Sequence, residues 1–271
     1  MHDYELLYSI LFIKDPWGNC MTNKSTSLNM TFITIAVLLI GTVILNTGCS
    51  DNKPKREQHV LTEERRAELS PLDMIRILQE GNQSFVDGEW IDWDFRHEQV
   101  ETAAGQYPGG IVLSCIDSRA PAEIIFNLGI GDIFNAKIAG NILDEDIAGS
   151  MEYACKIAGS KIIIVMGHTN CGAVKGAIDQ VELGNLTQLF AKIKPAIDAV
   201  QDVEGERTTK NSAFVNAVAK KNVMLTMENI RETSPVLKKM EDNNEIDIVG
   251  AMYDVESGKV EFFNKNGSSP Y

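Results

Sequence analysis

The feature that most constrains the fold of this chain is an uninterrupted apolar run, Ile162-Ile163-Ile164-Val165. Such β-branched residues without polar alternation are typical of a strand that is buried on both faces of a parallel sheet. A shorter run, Ile111-Val112-Leu113, follows a double glycine and leads into a polar turn. Residues 109–115 and 161–166 are therefore predicted as two buried strands.

Helical patterns accompany these strands. Four residues between them share one helical face: Ile147, Met151, Ala154 and Ala158. Gly159 is placed to end this helix, so strand, helix and strand follow in the order of a βαβ crossover. The pattern also predicts helices over 172–181, 186–203 and 212–233, and strands over 134–138, 246–255 and 260–263. Pro195 predicts a kink or a break in the second of these helices. The economical architecture is one α/β domain with helices around a mainly parallel sheet.

The amino-terminal segment has the pattern of a secretion signal. An apolar run of 15 residues, 31–45, follows Lys24 and leads to Thr47-Gly48-Cys49. It is shorter than the roughly 18 residues expected of a membrane-spanning helix. The segment resembles a bacterial lipoprotein signal, although Asn46 departs from that pattern, and the resemblance implies cleavage before Cys49 and a lipid anchor on it. The alternative is an uncleaved anchor helix. Both interpretations predict a protein of the cell envelope, facing the periplasm or another extracytoplasmic space.

Three segments follow from this assignment: an upstream segment and signal over 1–48, a flexible tether over 49–69, and a folded domain over 70–271. The tether is polar and charged and contains Pro54. Ser70 and Pro71 supply an N-cap and a first-turn proline for an amphipathic helix. Its apolar residues are Met74, Ile75, Leu78 and Phe85. This face could pack on the chain's own core or on a second subunit.

The charge balance excludes one class of partner. The sequence has 25 Lys and Arg against 38 Asp and Glu, a formal net charge of -13. Nucleic acid is therefore not expected as a partner, because a phosphate-binding surface needs clustered basic residues.

Cys115 and Cys171 each stand just beyond a predicted strand, where open α/β sheets place ligand sites. His168 precedes Cys171 by three residues, so one tight loop over 167–172 presents a nitrogen and a thiolate. Zinc favours Cys and His ligands, and three protein ligands leave its fourth position open, as in catalytic sites. An isolated HxxC pattern is more often a capped turn with a core thiol. Cys155, among apolar helical residues, is interpreted as a core residue.

The segment Cys115-Ile116-Asp117-Ser118-Arg119, paired with the 167–172 loop, resembles the β-class carbonic anhydrases. The resemblance extends over most of the folded body, and includes segments 131–134, 139–141, 149–154 and 250–254. It implies a β-carbonic anhydrase-like catalytic domain with an N-terminal helical arm. It further implies that Cys115, His168 and Cys171 hold zinc, beside the Asp117 and Arg119 dyad. A homodimer or higher even oligomer is also implied, in which the helix over 74–85 crosses onto the partner.

Asp117 could bind the metal as a further ligand or accept a hydrogen bond from zinc-bound solvent. A bidentate contact from Arg119 would hold Asp117 off the metal and keep it ionised. Zinc-bound hydroxide is then the expected nucleophile toward carbon dioxide, with bicarbonate as product and no organic cofactor. For these two residues alone, the alternative is an ordinary surface ion pair.

Some positions depart from the family. Lys137 stands where an arginine is frequent, and Leu128 stands where a glutamine is common in the substrate pocket. Members regulated by bicarbonate usually carry tryptophan and arginine at Val112 and Lys137, so a form without that regulatory site is favoured. The competing functions are hydrolysis of carbonyl sulfide or carbon disulfide on the same scaffold, and a non-catalytic zinc protein that stabilises an assembly.

Overall fold

A computed structural model describes residues 60–271 of the chain. The predicted signal over 1–48 and the predicted lipid anchor at Cys49 lie outside the described residues. Within 60–271, the structure contains no helix long and apolar enough to cross a membrane.

The strands of this part of the chain form one sheet. They are β1 (Gly110–Ser114), β2 (Ile133–Lys137), β3 (Ile162–His168), β4 (Asp247–Tyr253) and β5 (Val260–Phe263). Their spatial order is β2-β1-β3-β4-β5. The first four are parallel to their neighbours, whereas β5 returns antiparallel to β4 after a short turn. The mainly parallel α/β sheet and its carboxyl-terminal hairpin are thus confirmed.

Helices cover both faces of the sheet. In chain order they are α1 (Glu63–Glu68), α2 (Pro71–Asp87), α3 (Phe95–Glu101), α4 (Ala122–Ile125), α5 (Glu145–Glu152), α6 (Gly172–Ile178), α7 (Leu186–Ala199), α8 (Ser212–Thr233) and α9 (Pro235–Asp242). A π-helical turn, Tyr153–Ile157, continues α5. The left-handed Gly159 follows that turn, as its predicted place at the helix end requires.

The central strands explain the position of the core. β1 and β3 are buried along their whole length, as their unbroken apolar runs predict. Alternate side chains enter two different apolar layers, because successive residues of a strand point to opposite faces. Val112 and Ile164 pack with α2 on one face, and Leu113 and Val165 pack with α8 on the other. The sheet is therefore sandwiched between these two helices.

Several helix boundaries differ from the predicted ones. The span of α8 agrees with the prediction, but α6 ends at Ile178 and α7 ends at Ala199. Pro195 lies inside α7 without ending it, because the neighbouring Ile193 and Ala196 are buried on the core. The short helix α9 was not predicted. It begins at Pro235 with Ser234 as its cap.

The first helices bear on two expectations. Ser70 caps α2 through a capping box, as predicted, but Met74, Ile75 and Leu78 are buried on the chain's own sheet. Of the two predicted alternatives, the structure shows the first: the chain's own sheet covers this face, and no second subunit is needed to bury it. In addition, α1 lies within the segment predicted as tether, and its Arg66 donates a hydrogen bond to the carbonyl of Ala158.

Candidate metal centre

Three potential ligands converge at the carboxyl ends of β1 and β3. Cys115 directly follows β1, His168 is the last residue of β3, and Cys171 is the N-cap of α6. The prediction placed His168 in the loop, whereas the strand extends through it and pairs it with Tyr253 of β4. Because His168 belongs to the sheet, its ring is held by a regular backbone rather than by a loop.

The ligand atoms are close enough to hold one ion. The two cysteine Sγ atoms and a ring nitrogen of His168 all lie within 4.8 Å of one another, and all three residues are buried. The two Sγ atoms are 4.0 Å apart. Among the described residues, this Cys-His-Cys group has the composition of a metal site, and soft thiolates with imidazole suit zinc.

The orientation of the His168 ring fits a metal. Its Nδ1 lies 2.9 Å from the carbonyl oxygen of Thr169, to which it donates a hydrogen bond when protonated. That contact leaves the lone pair on Nε2, and Nε2 is buried without a hydrogen-bond partner. A buried acceptor without a partner is costly in a folded protein. Coordination of a cation by Nε2 would remove this cost, with Thr169 fixing the tautomer.

The hydrogen bond between the two thiols shifts their pKa values in opposite directions. A hydrogen bond from the Cys171 thiol lowers the pKa of Cys115, and this contact outweighs the opposing effect of burial. The same bond and burial raise the pKa of Cys171, although the backbone N–H groups of Ala173 and Val174 at the start of α6 oppose the rise. One thiolate therefore forms readily, and the thiolate is the form that binds metals.

Asp117 and Arg119 form the predicted dyad beside these ligands. Arg119 donates from Nε to Oδ1 at 2.9 Å and from its terminal nitrogen to Oδ2 at 2.8 Å. This bidentate contact holds the pKa of Asp117 well below its usual range. Oδ2 lies 3.7 Å from Nε2 of His168, but Asp117 is not part of the compact Cys-His-Cys group. The carboxylate thus faces the ligands while bound to Arg119.

The structure shows where Lys137 and Leu128, two departures from the family, lie. Lys137, at the end of β2, donates from Nζ to the carbonyl oxygen of Ala120 at 2.7 Å and approaches that of Asp117 at 3.4 Å. It therefore ties the loop that carries the dyad to the sheet. Leu128 is almost fully buried, and Val112 is fully buried in the core. Cys155 is buried in the core as predicted, and burial raises its pKa to about 12.

Sequence reasoning missed Asn222 of α8. Its side chain is buried, and its Nδ2 donates to the carbonyl oxygen of Gly140 at 2.8 Å. The N–H of Gly140 in turn donates to Sγ of Cys115 at 3.3 Å. The signal was an amide in a mainly apolar stripe, since Val218 precedes Asn222 by one helical turn and both are buried.

The comparisons with known proteins agree with this geometry. The sequence profile of a family described as carbonic anhydrase matches residues 110–260. Carbonic anhydrase 2 of Mycobacterium tuberculosis is 30% identical over 192 residues, which cover 70% of this chain and 91% of that protein. A carbonic anhydrase of Mycolicibacterium smegmatis is 29% identical over 196 residues, covering 71% and 93%.

Solved structures agree in fold. The β-carbonic anhydrase CcaA superposes with a TM-score of 0.56 at 24% identity, covering 70% of this chain and 95% of that one. A tetrameric β-carbonic anhydrase of Sordaria macrospora superposes with a TM-score of 0.55 at 21% identity, covering 71% and 98%. The profile match includes the whole Cys-His-Cys group and the dyad. This chain therefore belongs to the carbonic anhydrase family, and its fold is that of the β class.

Proposed function

We propose that this carbonic anhydrase converts carbon dioxide and water reversibly into bicarbonate and a proton, with zinc held by Cys115, His168 and Cys171. One observation carries the proposal: the buried Cys-His-Cys group lies beside a bidentate Asp-Arg pair. Membership of the carbonic anhydrase family supports the same reaction.

The three ligands provide two sulfur atoms and one nitrogen, a donor set that leaves one position of a four-coordinate zinc open. Zinc bound there would lower the pKa of a water ligand to about 7 and so supply a nucleophile at neutral pH. Thr169 binds Nδ1 of His168, so Nε2 is the ring nitrogen that remains available to a metal. The orientation of the ring is therefore set by the protein.

Asp117 is the group that would orient the attacking water. Its Oδ2 is 3.7 Å from Nε2 of His168, so it can accept a hydrogen bond from a water close to the ligands. Arg119 occupies both carboxylate oxygens and keeps Asp117 ionised, which preserves it as an acceptor. When the water oxygen attacks the carbon of carbon dioxide, one C=O π bond breaks and its electron pair moves to the carbonyl oxygen. One proton of the water passes to solvent, and bicarbonate is the product.

A stopped-flow assay of carbon dioxide hydration tests this proposal, with carbonyl sulfide and carbon disulfide as parallel substrates. We expect zinc-dependent hydration of carbon dioxide at a rate well above that with either sulfur compound. Faster turnover of a sulfur compound would favour a hydrolase on the same scaffold. Full zinc content without turnover of any of the three would favour a non-catalytic protein that uses zinc to stabilise an assembly.

We also propose that the protein is attached to a membrane through lipid on Cys49 and faces an extracytoplasmic space. The apolar run over 31–45, followed by Thr47-Gly48-Cys49, supports this location.

A homodimer or a higher even oligomer is proposed as well. The face of α2 that carries Met74, Ile75 and Leu78 is covered by the chain's own sheet, so the partner would contact another surface. Tyr153 and Ile157 are exposed large apolar residues, and β2 is an edge strand of the sheet. Both features are typical of surfaces that bind a partner.

A further inference from the structure

The side chain of Asn222 is an amide in an apolar environment. It lies on the buried face of α8 and is 3% exposed. Burying an amide is unfavourable unless it is hydrogen-bonded, and an apolar residue would fill this position at lower cost. Its Nδ2 donates to the carbonyl oxygen of Gly140 at 2.8 Å.

Gly140 connects this hydrogen bond to the metal centre. Its own N–H donates to Sγ of Cys115 at 3.3 Å, in a buried position. Gly140 has a φ of 71°, a left-handed conformation that favours glycine. A Cβ at this position would also lie 2.7 Å from Cδ1 of Ile193. The residue is thus confined on one side by α7 and bound on the other by Asn222.

We infer that Asn222 is a positioning residue of the metal centre, which holds Gly140 so that its N–H donates to the thiolate of Cys115. The inference rests on the proposed zinc site. Hydrogen bonds from backbone N–H groups to a charged acceptor are strong, and such a bond stabilises the negative charge on sulfur. Contacts that orient or tune metal ligands in this way strongly affect metal affinity. Asn222 would act on the zinc only through Gly140 and Cys115.

Thr226 provides a matched control, because it lies one turn further along the same buried face. Its Oγ1 donates to the carbonyl oxygen of Asn141 at 3.4 Å, and it is also 3% exposed. Thr226 therefore binds the same turn but not the residue that donates to Cys115. Asn222→Leu and Thr226→Val each remove one buried hydrogen bond and preserve side-chain size approximately.

The experiment compares the parent and both variants after substitution with cobalt(II), and measures zinc affinity by competition with a chelator. We expect Asn222→Leu to shift the thiolate-to-cobalt charge-transfer band to lower energy, because a sulfur without its N–H donor loses an electron more easily. Zinc affinity should fall by about 10-fold, as for other residues that support metal ligands. Thr226→Val should leave the band at its parental energy.

An unshifted band in Asn222→Leu, or equal shifts in both variants, would overturn the inference. A parent protein that binds neither zinc nor cobalt through thiolates would instead refute the proposed zinc site itself. If Asn222→Leu does not fold, NMR of the parent loaded with cadmium-113 tests the hydrogen bond from Gly140 to Cys115. Scalar coupling between the metal and the Gly140 amide proton supports it, and absence of that coupling overturns it.

Discussion

Replacing Arg119 by alanine removes both side-chain hydrogen bonds that hold Asp117, at 2.9 and 2.8 Å. A hydrogen bond to a charged group contributes about 1.5–3 kcal/mol when well shielded from solvent. The Arg119 side chain is 48% exposed, so solvent screening reduces the contribution of the whole pair to roughly 1–2 kcal/mol. About 1.4 kcal/mol corresponds to a factor of 10 in an equilibrium constant. The equilibrium constant for moving the Asp117 carboxylate onto the metal should therefore rise about 10-fold.

The expected result is an enzyme that keeps its zinc and loses most of its activity. In Arg119→Ala, only the backbone N–H of residue 119 still donates to Oδ1 of Asp117. Oδ2 is then free to become a fourth zinc ligand and to occupy the open position. Stopped-flow hydration of carbon dioxide should therefore fall by up to about 10-fold at neutral pH, the limit that this shift sets, while metal analysis still gives one zinc per chain. Arg119→Lys should recover little, because lysine keeps the charge but cannot make the bidentate contact.

Two further variants show whether the effect depends on this gate. Arg76→Ala removes an exposed pair with Asp73 elsewhere on the surface and should leave hydration unchanged. Arg119→Ala combined with Asp117→Asn should recover part of the activity, because an amide competes poorly for the fourth position. The recovery should be incomplete, since the attacking water loses its preferred acceptor. Parental hydration by Arg119→Ala with full zinc would refute the role of Asp117 and Arg119 as a gate.

The remaining predictions concern metal, location, assembly and pH. Cys171→Ala should lose most zinc by metal analysis, whereas Cys155→Ala should retain it; full zinc in the first variant would remove Cys171 from the site. Cys49→Ala should abolish incorporation of a labelled fatty acid, and unchanged labelling would rule out that anchor. Light scattering should give an even multiple of the chain mass, and a monomer at micromolar concentration would contradict the proposed dimer. Burial raises the pKa of Asp247, so its ionised form costs stability as pH rises through the folded-state pKa. Asp247→Asn should then raise the free energy of unfolding at pH 7 but not at pH 3, as measured by urea unfolding; an equal gain at both would contradict this cause.

The sheet could be predicted because its strands carry a strong local signal. The run over 162–165 has no polar residue, so burial on both faces follows from the sequence alone. The end of this strand could not be predicted from the sequence. His168 is polar, and only its pairing with Tyr253 makes it part of β3. The packing of α2 is a separate case. Its periodicity shows that one face is apolar but carries no information about which surface covers that face.

At the metal site, residues within short motifs could be predicted from the sequence, whereas residues from distant parts of the chain could not. The resemblance of the Cys-Ile-Asp-Ser-Arg segment to the family predicted the contact between Asp117 and Arg119, which are two residues apart. Lys137 and Asn222 lie 20 and 82 residues from the atoms they contact, and only the fold brings them there. Both act on loops that carry site residues, Lys137 on the loop after Cys115 and Asn222 on the turn at Gly140. The ligands of such a centre can therefore be found from motifs, but the groups that hold those ligands in place depend on how distant elements pack.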